Sequence, residues 1–101
     1  MRVLIAEDEP ISRLVLRKHV ESLGHLAIPA ADGIVGWEQY QRALPDVIIS
    51  DWMMPGIEGI EFCRRVRAVE TSTYTYFIFM TALGDKQHFM RGMEAGADDY
   101  L

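Results

Sequence analysis

A chain of 101 residues, half of them hydrophobic and a quarter charged, has room for one domain around one core and lacks the balance of a disordered or fibrous protein. Its formal net charge of -5, with no cluster of Lys and Arg, argues against direct contact with nucleic acid. The single cysteine, Cys63, cannot form an internal disulfide, and no apolar run reaches the length of a signal peptide or a membrane span, so a cytoplasmic domain without membrane contact is expected.

In chain order, RVLIA (2–6) is an apolar run that stops at acidic residues and predicts a strand buried on both faces. Pro10 suits the first turn of a helix, Leu16, Val20 and Leu23 recur on one face, and Gly24 supplies a stop, which places a helix over 10–23. HLAIP (25–29) reads as a second strand. Asp32 can cap a second helix ending before Pro45, with a buried stripe of Trp37, Tyr40 or Gln41, and Leu44. DVIIS (46–50) is a third strand, followed by a loop over 51–58. Phe62, Cys63 and Val66 mark a third helix, with Cys63 a small buried hydrophobe. YFIFM (76–80) is a fourth strand. Phe89, Met90 and Met93 mark a fourth helix with both methionines in the core. AGADDYL (95–101) closes that helix at Gly96 and opens a fifth strand, with Asp98 and Asp99 as turn or capping residues.

Strands alternating with helices of this length predict a doubly wound α/β domain, a parallel sheet with helices on both faces. In such folds ligands gather at the carboxyl ends of the strands, near the point where strand order reverses. Glu7 and Asp8 follow the first strand, Asp51 the third and Thr81 the fourth, so all four converge on that edge. Crowded carboxylates repel one another unless a cation lies between them, and oxygen-only ligands with room left for water or phosphate suit Mg²⁺. His19, His25 and His88 are expected away from this edge, which disfavours zinc. With a cation present, an aspartate can attack phosphorus, while a hydroxyl such as that of Thr81 helps to neutralise the charge that builds up. Trp52, Met53 and Met54 form an apolar lip that either meets a partner or packs on its own helix.

The segments VLIAEDEP, VIISDWMMPGIEG, FIFMTA and EAGADDYL, in this order and at these separations, resemble the receiver domain of bacterial two-component response regulators, over essentially the whole chain. The resemblance implies a flavodoxin-like five-stranded parallel sheet of order 2-1-3-4-5. By position, Asp51 resembles the phosphoacceptor and Asp8 a direct ligand of Mg²⁺ (or Mn²⁺). Glu7 would act mostly through metal-bound water, and the Met53 backbone carbonyl would be a further ligand. Thr81 resembles the hydroxyl residue that turns to the phosphoryl group, Ala82 the small residue beside it, and Tyr100 the aromatic whose rotamer tracks activation. A sensor histidine kinase or histidine phosphotransfer protein is the implied donor, and an output domain or downstream protein the implied target. Catalysis would be limited to the domain's own phosphorylation and dephosphorylation.

Two departures from the family pattern stand out. The acidic pair is Glu-Asp where Asp-Asp is commoner. The lysine and fifth helix that usually follow the segment matching DDYL are absent from these 101 residues, which reads as a receiver incomplete at its C-terminus. We therefore expect a piece of a longer regulator, or a face covered by another copy, as in a homodimer, or by a partner. The alternative function is a receiver-like interaction or dimerisation module not regulated by phosphate. A phosphohydrolase is disfavoured by Met53 standing where such enzymes usually carry a second aspartate, and a flavin carrier by the acidic AEDEP loop.

Overall fold

The computed structural model describes residues 1–71, 73–81 and 83–101. Strands and helices alternate as β1 (Arg2–Ala6), α1 (Pro10–Ser22), β2 (Leu26–Ala30), α2 (Gly33–Ala43), β3 (Val47–Ser50), α3 (Gly59–Ala68), β4 (Tyr76–Phe79), α4 (Lys86–Glu94) and β5 (Asp99–Tyr100). All strand pairs are parallel and the order is β2-β1-β3-β4-β5. This is the flavodoxin-like sheet that the resemblance implied, with four helices among the described residues. The chain runs outward from β1 in one direction to β2 and in the other to β3. Order therefore reverses between β1 and β3, and the crevice of a doubly wound sheet opens at their carboxyl ends.

Because successive side chains point to opposite faces, each strand divides its residues between two cores. Leu4, Ala6, Ile48, Phe77 and Phe79 face the larger core with Tyr40 of α2 and Phe62, Cys63 and Val66 of α3. Val3 and Ile5 face α1, where Val20 is buried and Leu16 packs beside it. Burying an aliphatic or aromatic side chain stabilises the fold by roughly 1.5–3 kcal/mol, so the larger face dominates. The far part of the α1 face is open: Tyr76 and Met80 of β4 and its edge are exposed, as are Ile11 and Val15 of α1.

Element ends differ from expectation by one residue or so, and the differences have local causes. Helix α1 starts one residue after Glu9, whose carboxylate accepts from the Ile11 and Ser12 amides at 3.2 and 2.6 Å, and Leu23 forms its C-cap. Asp32 caps α2 through the Val35 amide at 2.8 Å, as expected. The buried stripe of α2 is Gly33, Gly36 and Tyr40, with Trp37 stacked on Tyr40, whereas Gln41 and Leu44 are exposed. Leu44 leaves the helix at φ 44, and this left-handed C-cap turns its side chain off the stripe.

The larger correction concerns α4. Met90 and Met93, expected in the core, are 47% and 37% exposed, and Phe89 beside them is 45% exposed. The helix approaches the sheet through Gly92 instead. A Cβ added there would lie 3.2 Å from Phe79 and 3.3 Å from Trp52. With the glycine at the contact line, the larger residues flank it and remain at the surface.

Candidate functional site

Backbone hydrogen bonds at the strand ends bring the polar residues together. The Glu7 amide donates to the Ala30 carbonyl at 3.1 Å, the Asp51 amide to Ala6 at 3.0 Å, and the Met80 amide to Ser50 at 3.0 Å. Each bond extends the ladder by one residue beyond its strand, so Glu7, Asp51 and Thr81 leave the sheet side by side. Carboxylate oxygens of Glu7, Asp8 and Asp51 lie within 4.8 Å of one another, with Glu7 buried, Asp51 half-buried and Asp8 exposed. Glu7, Asp51, Met80 and Thr81 line one side of an open cleft of about 490 Å³, and Ile11, Ser12, Val15 and Leu16 of α1 line the other.

The loop after β3 is held by close backbone contact. Gly59 donates its amide to the Trp52 carbonyl at 2.8 Å, and a Cβ on Gly59 would stand 2.1 Å from the carbonyl oxygen of Asp51. Gly33, at the start of α2, touches the same loop further on, where a Cβ would meet the Ile57 carbonyl oxygen at 1.9 Å. No other residue type fits either place without moving the loop that carries Asp51.

Electrostatics at the cluster follow from this crowding. Burial, and next to it the negative charge of Asp51, push Glu7 up to about 7, against the pull of the Glu9 amide, which donates to its carboxylate at 3.2 Å. Burial and a neighbouring carboxylate both disfavour the charged form, and a cation placed between the carboxylates would relieve them. The donor set is all carboxylate oxygen. It therefore fits a hard divalent ion. His19 and His25 lie outside this cluster, as expected. His88 lies outside it too, bonded to Asp85 at the start of α4 and packed against the Trp52 ring, with centroids 5.1 Å apart.

The remaining expected residues fall as follows. Met53, 63% exposed, borders a second cleft with Asp8, Pro55 and Glu58. Trp52 and Met54 are buried, so the apolar lip is split between packing and surface. Thr81 accepts from the Leu83 amide at 3.3 Å through its hydroxyl oxygen. Tyr100 donates its hydroxyl to the Leu83 carbonyl and packs among Trp52, Phe79 and Phe89. Burial, with the charges of Asp85 and Asp51, holds the Tyr100 hydroxyl above its ordinary range, so it remains a donor. Ala82 lies outside the described residues.

One cluster was missed by sequence reasoning. Asp98 accepts from Arg67 at 2.7 Å, from the Phe77 amide at 2.8 Å and from the Tyr74 hydroxyl, while Arg67 also donates to the carbonyls of Gly96 and Thr75. It sits at the opposite edge of the sheet and ties the α4–β5 connection to the segment before β4. Nothing in the spacing of Arg67, Tyr74 and Asp98 signals it, because their meeting depends on the sheet order.

The fold and the acidic edge together define a doubly wound α/β domain with a carboxylate site at its switch point, and comparison with known proteins gives its family. Residues 3–101 match the family model described as response regulator receiver domain, and the chain belongs to that family. The chain is 36% identical over 100 residues to the phosphate regulon transcriptional regulatory protein PhoB of Rhizobium meliloti, covering 99% of this chain and 44% of that protein. It is 39% identical over 101 residues to the transcriptional activator protein IrlR of Burkholderia pseudomallei, covering 100% and 43%. The chain thus spans less than half the length of these curated relatives. Among solved structures, chemotaxis protein CheY4 of Vibrio cholerae superposes with a TM-score of 0.92 at 30% identity, covering 99% of this chain and 83% of that one. The Francisella response regulator 1452 receiver domain gives 0.89 at 30%, covering 99% and 81%. The protein is therefore a receiver domain of the two-component response regulators. No helix among the described residues is long and apolar enough to cross a membrane.

Proposed function

We propose that this receiver accepts a phosphoryl group on Asp51 from the phosphohistidine of a sensor histidine kinase or phosphotransfer protein and passes the change to an output domain or downstream protein in the cytoplasm. The observation that carries this reading is the convergence of three carboxylates within 4.8 Å, with Thr81 on the same cleft. Glu7, Asp8 and Asp51, with the Met53 carbonyl, would hold Mg²⁺ or Mn²⁺, whose charge offsets that of the carboxylates and of an incoming phosphate. In the transfer, an Asp51 carboxylate oxygen forms a bond to phosphorus as the phosphorus–nitrogen bond breaks, and the departing imidazole takes up a proton. Gly59 and Gly33 keep the Asp51 loop in place, and the Thr81 hydroxyl, with its proton free to donate, is the neighbour that can meet the phosphoryl oxygens. Hydrolysis of the aspartyl phosphate would be the domain's only other reaction.

The test is intact-protein mass spectrometry after incubation with a small phosphodonor and Mg²⁺, with Asp51→Asn as control. We expect an adduct of one phosphoryl group that requires the cation and is lost in the variant. A folded chain that takes up no phosphate would instead support an interaction module not regulated by phosphate. In the same reading, a second copy covers the exposed apolar face formed by Ile11, Val15, Tyr76 and Met80. Sedimentation of the 101-residue chain as a stable, cooperative monomer would rule out that cover.

A further inference from the structure

We infer that Arg13 is a positioning residue for the acidic pair, holding the backbone of Glu7 and Asp8 from behind so that their carboxylates face Asp51. From its place one turn into α1, Arg13 donates through Nη1 to the Glu7 carbonyl at 2.9 Å and reaches the Asp8 carbonyl at 3.4 Å. Among the described residues its guanidinium forms no ion pair with either carboxylate. It takes the carbonyls and leaves the acidic oxygens to the site.

The need for such a hold follows from the site's own repulsion. Three carboxylates within 4.8 Å favour any backbone rotation that swings the exposed Asp8 outward. A planar peptide whose carbonyl is fixed has little freedom to rotate, and the direction of the flanking side chains is fixed with it. The rest of the turn is wired to the same helix end. The Glu9 amide donates to the Glu7 carboxylate at 3.2 Å, the Glu9 carboxylate caps α1, and the Arg13 amide donates to the Glu9 carbonyl at 2.9 Å. Of these contacts, only the Arg13 side chain reaches the carbonyls of the acidic pair. Both contacts come from the one nitrogen, Nη1, on a planar guanidinium; a lysine could keep the charge, but its ammonium rides on a flexible stem with no such plane to fix its direction.

Positioning and simple charge predict opposite signs, which makes the inference testable. If Arg13 acted only as a nearby positive charge, removing it would tighten cation binding. If it positions the pair, removing it weakens binding. The cation readout rests on the function proposed above, so a second readout without any cation is paired with it.

The 101-residue chain, Arg13→Met and Arg13→Lys would be titrated with MgCl₂ and followed by the NMR shifts of the Asp8 and Asp51 amides. Hydrogen exchange of the Glu9 amide would be compared in metal-free protein. We expect Arg13→Met to raise the Mg²⁺ Kd about tenfold, the lower end of what outer supports of metal ligands cost. Arg13→Lys should fall between it and the parent, and Glu9 exchange should be faster in both variants. An equal or tighter Kd in either folded variant would overturn the inference, and so would unchanged Glu9 exchange. If Arg13→Met does not fold, Arg13→Lys decides by the same criteria. Should the parent chain bind no Mg²⁺, the metal reading above falls and the exchange comparison alone decides the role of Arg13.

Discussion

At Glu7, burial and the charge of Asp51 leave the folded protein holding a proton that the unfolded chain has already released. The ordinary value is 4.5 and the folded value about 7, so the stability contributed by protonated Glu7 is complete below pH 4.5 and is lost as pH rises toward 7. Across that window the loss amounts to at most about 3 kcal/mol. We expect the Tm of the parent chain minus that of Glu7→Gln, measured with a chelator present, to fall steadily between pH 4.5 and 7. A difference that is flat or rises over this range would contradict the raised value. Residues of this kind were legible in the sequence because Glu7, Asp8, Asp51 and Thr81 all follow strands whose carboxyl ends meet at one edge, whereas any one of them alone could be a cap or a turn. Arg13 and Asp98 were not, because their roles are carbonyl and amide contacts that leave no pattern in residue type.

Elements were legible where the hydrophobic period and a cap agreed, as for α2 after Asp32 and α3 with Phe62, Cys63 and Val66. They were misjudged where a glycine made the contact: α4 meets the sheet at Gly92, so its large apolar residues mark the flanks of the contact and not its centre. The connections between elements hide most of all. Arg67, Asp98 and Tyr74 join the end of α3, the start of β5 and the segment before β4, with Arg67 over the Tyr74 ring at 4.6 Å. Replacing Asp98 by Ala strands a half-buried guanidinium and the Phe77 amide together. The expected cost is about 3 kcal/mol, at the lower end for a broken buried pair because Arg67 and Asp98 keep some contact with solvent. Tyr74→Phe removes one hydrogen bond and should cost about 1 kcal/mol. Urea unfolding of both variants provides the check, and an Asp98→Ala midpoint equal to that of Tyr74→Phe would mean that the ion pair adds nothing beyond the hydroxyl contact.

For the molecule as a whole, alternation of strand and helix was enough to infer a parallel sheet, while the order β2-β1-β3-β4-β5 rested on the resemblance, since periodicity says nothing about which strands are neighbours. That order sets β4 beside β3 and β5 beside β4, and so lines up the residues that follow these strands along one edge. The Leu83 amide donates to the Thr81 hydroxyl oxygen, and the Leu83 carbonyl accepts from Tyr100. One residue thus joins Thr81, which lines the cleft with Asp51, to an aromatic ring packed against Phe89 of α4. A phosphoryl group on Asp51 that draws in the Thr81 hydroxyl would alter its bond with Leu83 and bias the position of Tyr100, a shift between two populations with no need for a new fold. Thr81→Ala removes the oxygen at the first link while leaving Glu7, Asp8 and Asp51 in place. We expect Mg²⁺ binding to persist in this variant, the NMR shifts of the Tyr100 ring to respond only weakly to phosphorylation, and Thr81→Ser to restore the response. If Tyr100 in Thr81→Ala answers phosphate as strongly as in the parent chain, the signal does not pass through the Thr81 hydroxyl, and the packing of Trp52 against Tyr100 becomes the route to examine.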